Sequence, residues 1–452
     1  MKKIFAFLLV AAVAGFAQTD SAKAEIIKDR HKMGSNYYAY PTPSAKYTKA
    51  PAGYKPFYLS HYGRHGSRFH QPADHYHVLY NTLAKADSAS KLTALGKSLL
   101  ERAKYLDEYA APRAGDLTQL GVAQHQGIAK RMVKNFPEVF KNDAYIEAYA
   151  STSVRCVVSM AAFLEELRAQ KPKLDIHQES GKYLMAFISP LDFGKIIGES
   201  NTPAWQKENE KLYSHVDPSR MMNAIFNDPA YVKTIDAGDL YSKFYEIGNS
   251  LQGSPEIDFS FDDLWTDEEL YARWRAQNAW WYSVLGNNPF GKKEGLENAR
   301  PLLKNVFDVA DKVIAADTTA PTKANKATKA AKKVSATLRF GHDTVIFPFA
   351  VLLQLESGSL KTGIETADME NLPKAWRDYE ISPMAANVQF IFYKSAKKGA
   401  PVLVKVMLNE PSRNCPYHAI PRLSRTAPPP RITAGKTSAN STSRLRQENN
   451  PR

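Results

Sequence analysis

Cysteine is nearly absent: the 452 residues contain two, Cys156 and Cys415. A single pair cannot make a disulfide framework, so the fold must rest on its apolar core. Cys156 falls in a helical pattern and reads as a buried thiol, with little to support a bridge to Cys415. After the first sixteen residues no long apolar run follows, which leaves no membrane span to propose. HExxH and comparable ligand spacings are missing too, so no metal and no other cofactor is expected. His61, His70, His75 and His77 crowd together with Asp74, but they read as loop or cleft residues rather than ligands. No internal repeat is present. Acidic residues are the scarcer charge, 46 against 60 basic ones, for a net charge of +14. That excess is local. Residues 411–452 hold eight Lys/Arg and one Glu, which is +7, and residues 318–333 hold five Lys and no acid, which is +5. The remaining +2 gives no reason to expect nucleic acid as a partner.

What is present begins with a leader. Lys2 and Lys3 precede the apolar stretch 4–16, and small-residue sites follow at Gly15-Phe16-Ala17 and Ala22-Lys23-Ala24. Residues 1–24 therefore read as a signal peptide, and the product as exported, periplasmic or extracellular. At the other end the apolar periodicity stops abruptly after the strand-like Val402-Leu-Val-Lys-Val-Met-Leu408. Residues 411–452, rich in Pro, Ser, Thr, Asn and Arg, read either as a disordered tail or as translation out of frame.

Between these ends, short apolar segments alternate with helical periodicity. Strands are expected at 57–61, 145–149 and 335–340, and a hairpin from 388–393 and 402–408. Residues 71–111 read as largely helical. Thr118 is the expected N-cap of one helix and Ser151-Thr-Ser153 the cap of another, with Arg155 in its first turn. Residues 184–316 differ in character: they are helical and aromatic, with a capping box at Thr266-Asp-Glu-Glu269 and with Trp274, Trp280 and Trp281 read as core. Strand–helix alternation implies an open sheet whose ligand site lies beyond the strand C-terminal ends. Three such ends carry reactive groups: Arg64, His65 and Arg68; Arg155; and His342 with Asp343.

The first of these organises the chain. Phe57-Tyr-Leu-Ser-His-Tyr is apolar and then breaks into Gly63-Arg64-His65-Gly66-Ser67-Arg68. Glycines let backbone N–H groups approach an anion, and two guanidinium forks can grip its oxygens. His65 between them could attack phosphorus. Arg64-His65-Gly66-Ser67-Arg68 with the later His342-Asp343, supported by Leu117-Thr118-Gln-Leu-Gly121 and Ser151-Thr-Ser-Val-Arg155, resembles the histidine acid phosphatases. These form branch two of the histidine phosphatase superfamily, with the phytases and multiple inositol polyphosphate phosphatases.

That resemblance implies His65 as the nucleophile that becomes a phosphohistidine and Asp343 as the proton donor. It implies Arg64, Arg68, Arg155 and His342 as the groups that bind the substrate phosphate. Asp343 also stands where it could N-cap the helix that follows. The implied fold class is α/β, a three-layer α/β/α domain with a mainly parallel sheet plus an inserted helical cap. The expected parts are a catalytic domain from 25–183 and 317–410, a cap from 184–316, and the tail 411–452. The expected activity is an exported phosphomonoesterase acting on inositol polyphosphates of the phytate type. A broad acid phosphatase on sugar phosphates or nucleotides, or a phosphate-ester binding protein without turnover, are the alternatives. The expected partner is a small phosphate ester; nothing in the sequence sets the oligomeric state.

Overall fold

The computed structural model describes residues 21–43, 47–190, 192–318, 332–357, 360–410 and 417–419. Helix α1 (Ser21–Lys28) and a 3-10 segment (Arg30–Tyr37) lead into strand β1 (Tyr54–Arg64). Helices α2 (Asp74–Ser88), α3 (Ala94–Tyr109) and α4 (Gln119–Asn135) follow. Then come β2 (Tyr145–Ala150), α5 (Val154–Gln170) and β3 (Asp175–Ser180). The segment to residue 318 is helical and includes α6 (Ala237–Ser250) and α7 (Asp267–Leu285). The chain returns to the sheet with β4 (Val334–Gly341), α8 (Asp343–Leu352), β5 (Asn387–Ser395), β6 (Leu403–Leu408) and β7 (Tyr417–Ala419).

The strand order is β3-β2-β4-β1-β5-β6-β7. The first four strands are parallel and the last three antiparallel, so the sheet is mixed, with the parallel half carrying the strand ends of interest. β1 is buried on both faces from Tyr58 onward, as a central strand covered by helices must be. On one face α4 and α5 pack Ile128, Met132, Phe163 and Leu167 against Leu59, Leu338 and Ile391. The other face packs Tyr58, Tyr62, Phe390 and Phe392 against Ile346 and Phe349 of α8. A third core joins α2 and α3 to α6 and α7 through Leu79, Leu83, Leu99, Phe244, Ile247 and Trp274. Thus the early helices are built into the helical region rather than into the sheet's covering layers.

Thr266 forms the expected capping box at the start of α7, and Thr118 caps α4 by accepting from the Gly121 N–H. The cap of α5 differs. Ser153 occupies the position but makes no side-chain cap bond, while the Ser151 hydroxyl turns toward His342. The tail reading concerns 411–452, of which only β7 is described; it adds a short edge strand. Residues 1–20 of the expected leader lie outside the described residues. Ala22 and Ile26 of α1 are fully buried, which ties the chain into the core before residue 24.

Candidate active site

Register brings the reactive strand ends together. Arg64 at the end of β1 pairs with Gly341 at the end of β4, and Ala150 at the end of β2 pairs with Phe340. The His65 N–H donates to the Gly341 carbonyl at 3.0 Å, so His65 and His342 leave adjacent strands side by side. Their rings meet edge to face with centroids 5.7 Å apart. Three residues separate β2 from α5, whose first turn presents Arg155.

The turn after β1 is clamped by α4. A Cβ on Gly66 would stand 2.5 Å from the Gly121 carbonyl oxygen, and one on Gly121 would stand 2.3 Å from the Ser67 oxygen. Two glycines are therefore required for backbone to pass backbone at this point. Gln124 fixes the turn further: its oxygen accepts from the Ser67 N–H at 2.8 Å, and its amide donates to the Ser67 hydroxyl at 2.9 Å.

Within this frame the His65 Nδ1 lies 2.9 Å from the Gly66 carbonyl oxygen. A carbonyl only accepts, so Nδ1 carries the proton and the Nε2 lone pair is left free. Burial, with Arg64, Arg68, Arg155 and His342 around it, holds this imidazole well below its ordinary pKa and therefore neutral. His342 is pushed down to about 4, chiefly by burial and then by Arg155, and its Nε2 lies 2.9 Å from the Ser151 hydroxyl.

Arg64 is fully buried and donates to the Ser382 carbonyl at 2.8 Å while pairing with Asp343 Oδ2 at 2.8 Å. Arg68 donates to the Tyr37 hydroxyl at 3.1 Å and lies over that ring. The Nε groups of Arg64, Arg68 and Arg155 are buried without a hydrogen-bond partner, and among the described residues no ion pair engages Arg68 or Arg155. Buried donors without acceptors are costly alone, and they are what an oxyanion bound here would satisfy.

Asp343 is not the N-cap of α8, as its place in the sequence allowed. His342 takes that position, and Asp343 is the first helical residue. Its Oδ2 accepts from the Asn36 amide at 2.7 Å and forms the ion pair with Arg64. Burial pushes this carboxyl up, but Arg64 and Asn36 outweigh it and hold it at about 2.

All six residues singled out in the sequence thus surround one place. A cavity of about 400 Å³ opens there, lined by His65, Arg68, Arg155, His342 and Asp343. Its other wall comes from Asn36 and Tyr37 in the 3-10 segment and from Glu246, Gln277 and Trp281 in α6 and α7. None of these five was expected. Asn36 and Tyr37 lie in a lead-in without periodicity, and Trp281, read as core, is core, 7% exposed and stacked on Phe193, and reaches the cavity from there. Trp274 is core, with its Nε1 donating to Asp378. Of the crowded histidines, His61 is buried in β1, His77 pairs with Asp107, and His70 meets His75 at the cavity rim. Cys156 is a buried free thiol donating to the Gly341 carbonyl.

Comparison with solved structures finds the same architecture. The multiple inositol polyphosphate phosphatase of Bifidobacterium longum, solved in complex with inositol hexasulfate, aligns with a TM-score of 0.65 at 16% identity, covering 85% of this chain and 93% of that one. The phytase of D. castellii aligns with a TM-score of 0.55 at 14% identity, covering 84% and 79%. At these identities the likeness is one of fold. A search of curated protein sequences finds no match. The model of the histidine phosphatase superfamily (branch 2) matches residues 63–409, from the glycine before Arg64 to the end of the last long strand. The chain belongs to the histidine phosphatase superfamily, branch 2.

Proposed function

We propose that the protein hydrolyses phosphomonoesters through a phosphohistidine on His65. The observation that carries this reading is the His65 tautomer: Nδ1 tied to the Gly66 carbonyl, Nε2 free, and three arginines around it. In the first step Nε2 attacks phosphorus, the P–O(ester) bond breaks, and the Asp343 carboxyl proton passes to the leaving oxygen. In the second, water attacks phosphorus and gives a proton to Asp343, the P–N bond breaks, and inorganic phosphate leaves. Arg64, Arg68, Arg155 and His342 hold the phosphoryl oxygens, where charge stabilisation and in-line positioning do most of the catalysis.

Asp343 must be protonated to act, yet in the free site Arg64 and Asn36 hold it at about 2. A bound phosphoryl group resolves this. It takes up the arginine field and sets a second negative charge beside the carboxylate, and both effects raise the Asp343 pKa. The monoanion of the ester then brings the proton with it.

The substrate class we infer is inositol phosphates, in keeping with the neighbours' ligands and with a cavity that admits a small ring. Among the described residues, Arg68 and Arg155 are the only Lys or Arg lining that cavity, and Glu246 lines it too. That charge balance favours inositols with few phosphates over the fully phosphorylated ring, and it keeps sugar phosphates as a second reading. Export follows from the leader. Cleavage at the Ala17 site would preserve the packing of Ala22, whereas cleavage after Ala24 would remove it. Among the described residues no helix is long and apolar enough to cross a membrane.

An alkaline quench during turnover, followed by peptide mass spectrometry, tests the mechanism. Phosphate is expected on the His65 peptide, and its absence from wild type under burst conditions would refute the covalent route. Phosphate release from a panel of inositol phosphates and sugar phosphates ranks the substrates.

A further inference from the structure

His70, His75 and Glu246 come from three separate elements: the turn after β1, the first turn of α2, and α6. His70 Nε2 lies 2.8 Å from His75 Nδ1, and Glu246 Oε2 lies 3.5 Å from His75 Nδ1 and 4.0 Å from His70 Nε2. We propose that these three side chains form a divalent-metal site of the zinc class in the wall of the catalytic cavity, with an open position facing it. The proposal goes against the sequence expectation of no metal, because the spacing that matters is made by the fold and not by a local motif. It stands whether or not the substrate is an inositol phosphate.

Zinc bonds of about 2.0–2.2 Å to nitrogen and oxygen set tetrahedral ligand atoms roughly 3.3 Å apart, and the three distances straddle that spacing. Two neutral imidazoles and a carboxylate are a common donor set for a catalytic-type, three-ligand site. The supporting contacts are also present. His70 Nδ1 lies 2.9 Å from the Tyr37 hydroxyl, which fixes the ring, and Glu246 Oε1 faces Arg273 at 3.8 Å, leaving Oε2 for the ion. The flanking residues Tyr76, Tyr245 and Ile247 are buried in the helical core, so the backbone under His75 and Glu246 is held in place. One nitrogen of the His70–His75 contact carries a proton. A metal takes its place, and that ring's proton moves to its other nitrogen, which for His70 faces Tyr37. Tyr37 in turn accepts from Arg68. The ion would therefore stand two hydrogen bonds from a phosphate-binding arginine, in the wall of the cavity that His65 and Arg68 line.

Isothermal titration of the untagged, metal-stripped protein with ZnCl₂ in phosphate-free buffer tests this. One equivalent should bind, and His75→Ala and Glu246→Gln should each weaken it at least about tenfold, while His77→Ala should not. Co²⁺ in place of Zn²⁺ should give the visible absorption of a tetrahedral N/O site, lost in the same two variants. Circular dichroism of each variant separates lost binding from lost fold. Absence of saturable binding to wild type, or binding indifferent to both substitutions in folded variants, would overturn the proposal.

Discussion

His61 sits in the middle of β1, four residues before the proposed nucleophile, and its ring packs against Phe163 and Phe340. Neither ring nitrogen has a hydrogen-bond partner. Burial, with His125 and Arg339 adding to it, lowers its pKa to about 3 from an ordinary value of 6.5. The folded state therefore keeps this ring neutral while the unfolded chain protonates it below pH 6.5. The stability tied to the neutral ring is fully present above pH 6.5 and is lost as pH falls from there toward 3. Each pH unit below 6.5 costs about 1.36 kcal/mol, so at pH 5 this one residue removes about 2 kcal/mol. That is a large share of the ~5–15 kcal/mol of a typical domain. His61→Leu keeps the volume and deletes the titration. Urea unfolding at pH 7.5 and pH 5 should then show the wild type losing about 2 kcal/mol more than the variant over that interval. Equal losses in the two proteins would refute the buried, neutral assignment. The result bears on function, because it sets an acid limit on the fold that holds the site, independent of the chemistry.

Three further perturbations address the site itself. Asp343→Asn should slow alkyl phosphate esters by roughly 10²–10⁴ in kcat, the range for a lost general acid, and p-nitrophenyl phosphate far less; equal slowing of both would remove Asp343 from that role. Asn36→Ala removes an amide donor from the charged form of Asp343, so the Asp343 pKa should rise. A hydrogen bond to a charged group is worth about 1.5–3 kcal/mol, and the acidic limb of the kcat/KM profile should move up by about one pH unit or more; an unmoved limb would contradict the contact. Gly121→Ala places a methyl 2.3 Å from the Ser67 oxygen and should cost ~1–3 kcal/mol of stability with a drop in kcat/KM, whereas Gly198→Ala, with nothing within 4 Å, should do neither; thermal melts and initial rates of both variants decide it.

The parts of the site that were legible in the sequence share a physical reason. Arg64, His65, Arg155, His342 and Asp343 follow strands whose apolar runs are bounded by glycine or serine, so both the strand and its end can be read locally. Parallel pairing then needs only the correct strand order to bring β1, β4 and β2 together, and the register Arg64–Gly341 and Ala150–Phe340 completes the cluster. The opposite wall has no such local signal. Asn36 and Tyr37 occupy a 3-10 segment with Ser35 at a positive φ of 56°, held by Ser35 donating to Asp378 and by Tyr245 donating to the Met33 carbonyl. Those contacts span 343 and 212 residues of chain, and no periodicity announces them. Trp281 is core, as its sequence pattern implied, and it lines the cavity as well. An aromatic run on a helix marks burial, but burial against Phe193 and burial at the rim of a cavity give the same sequence pattern. The half of the cleft proposed to hold the phosphate is thus written in short-range patterns, and the half that would select the rest of the substrate depends on where the N-terminal segment and the helices between β3 and β4 meet. Substitutions in that second half, at Tyr37, Glu246 or Gln277, are for this reason the ones expected to change substrate ranking, whereas the strand-end residues change the rate for every substrate alike.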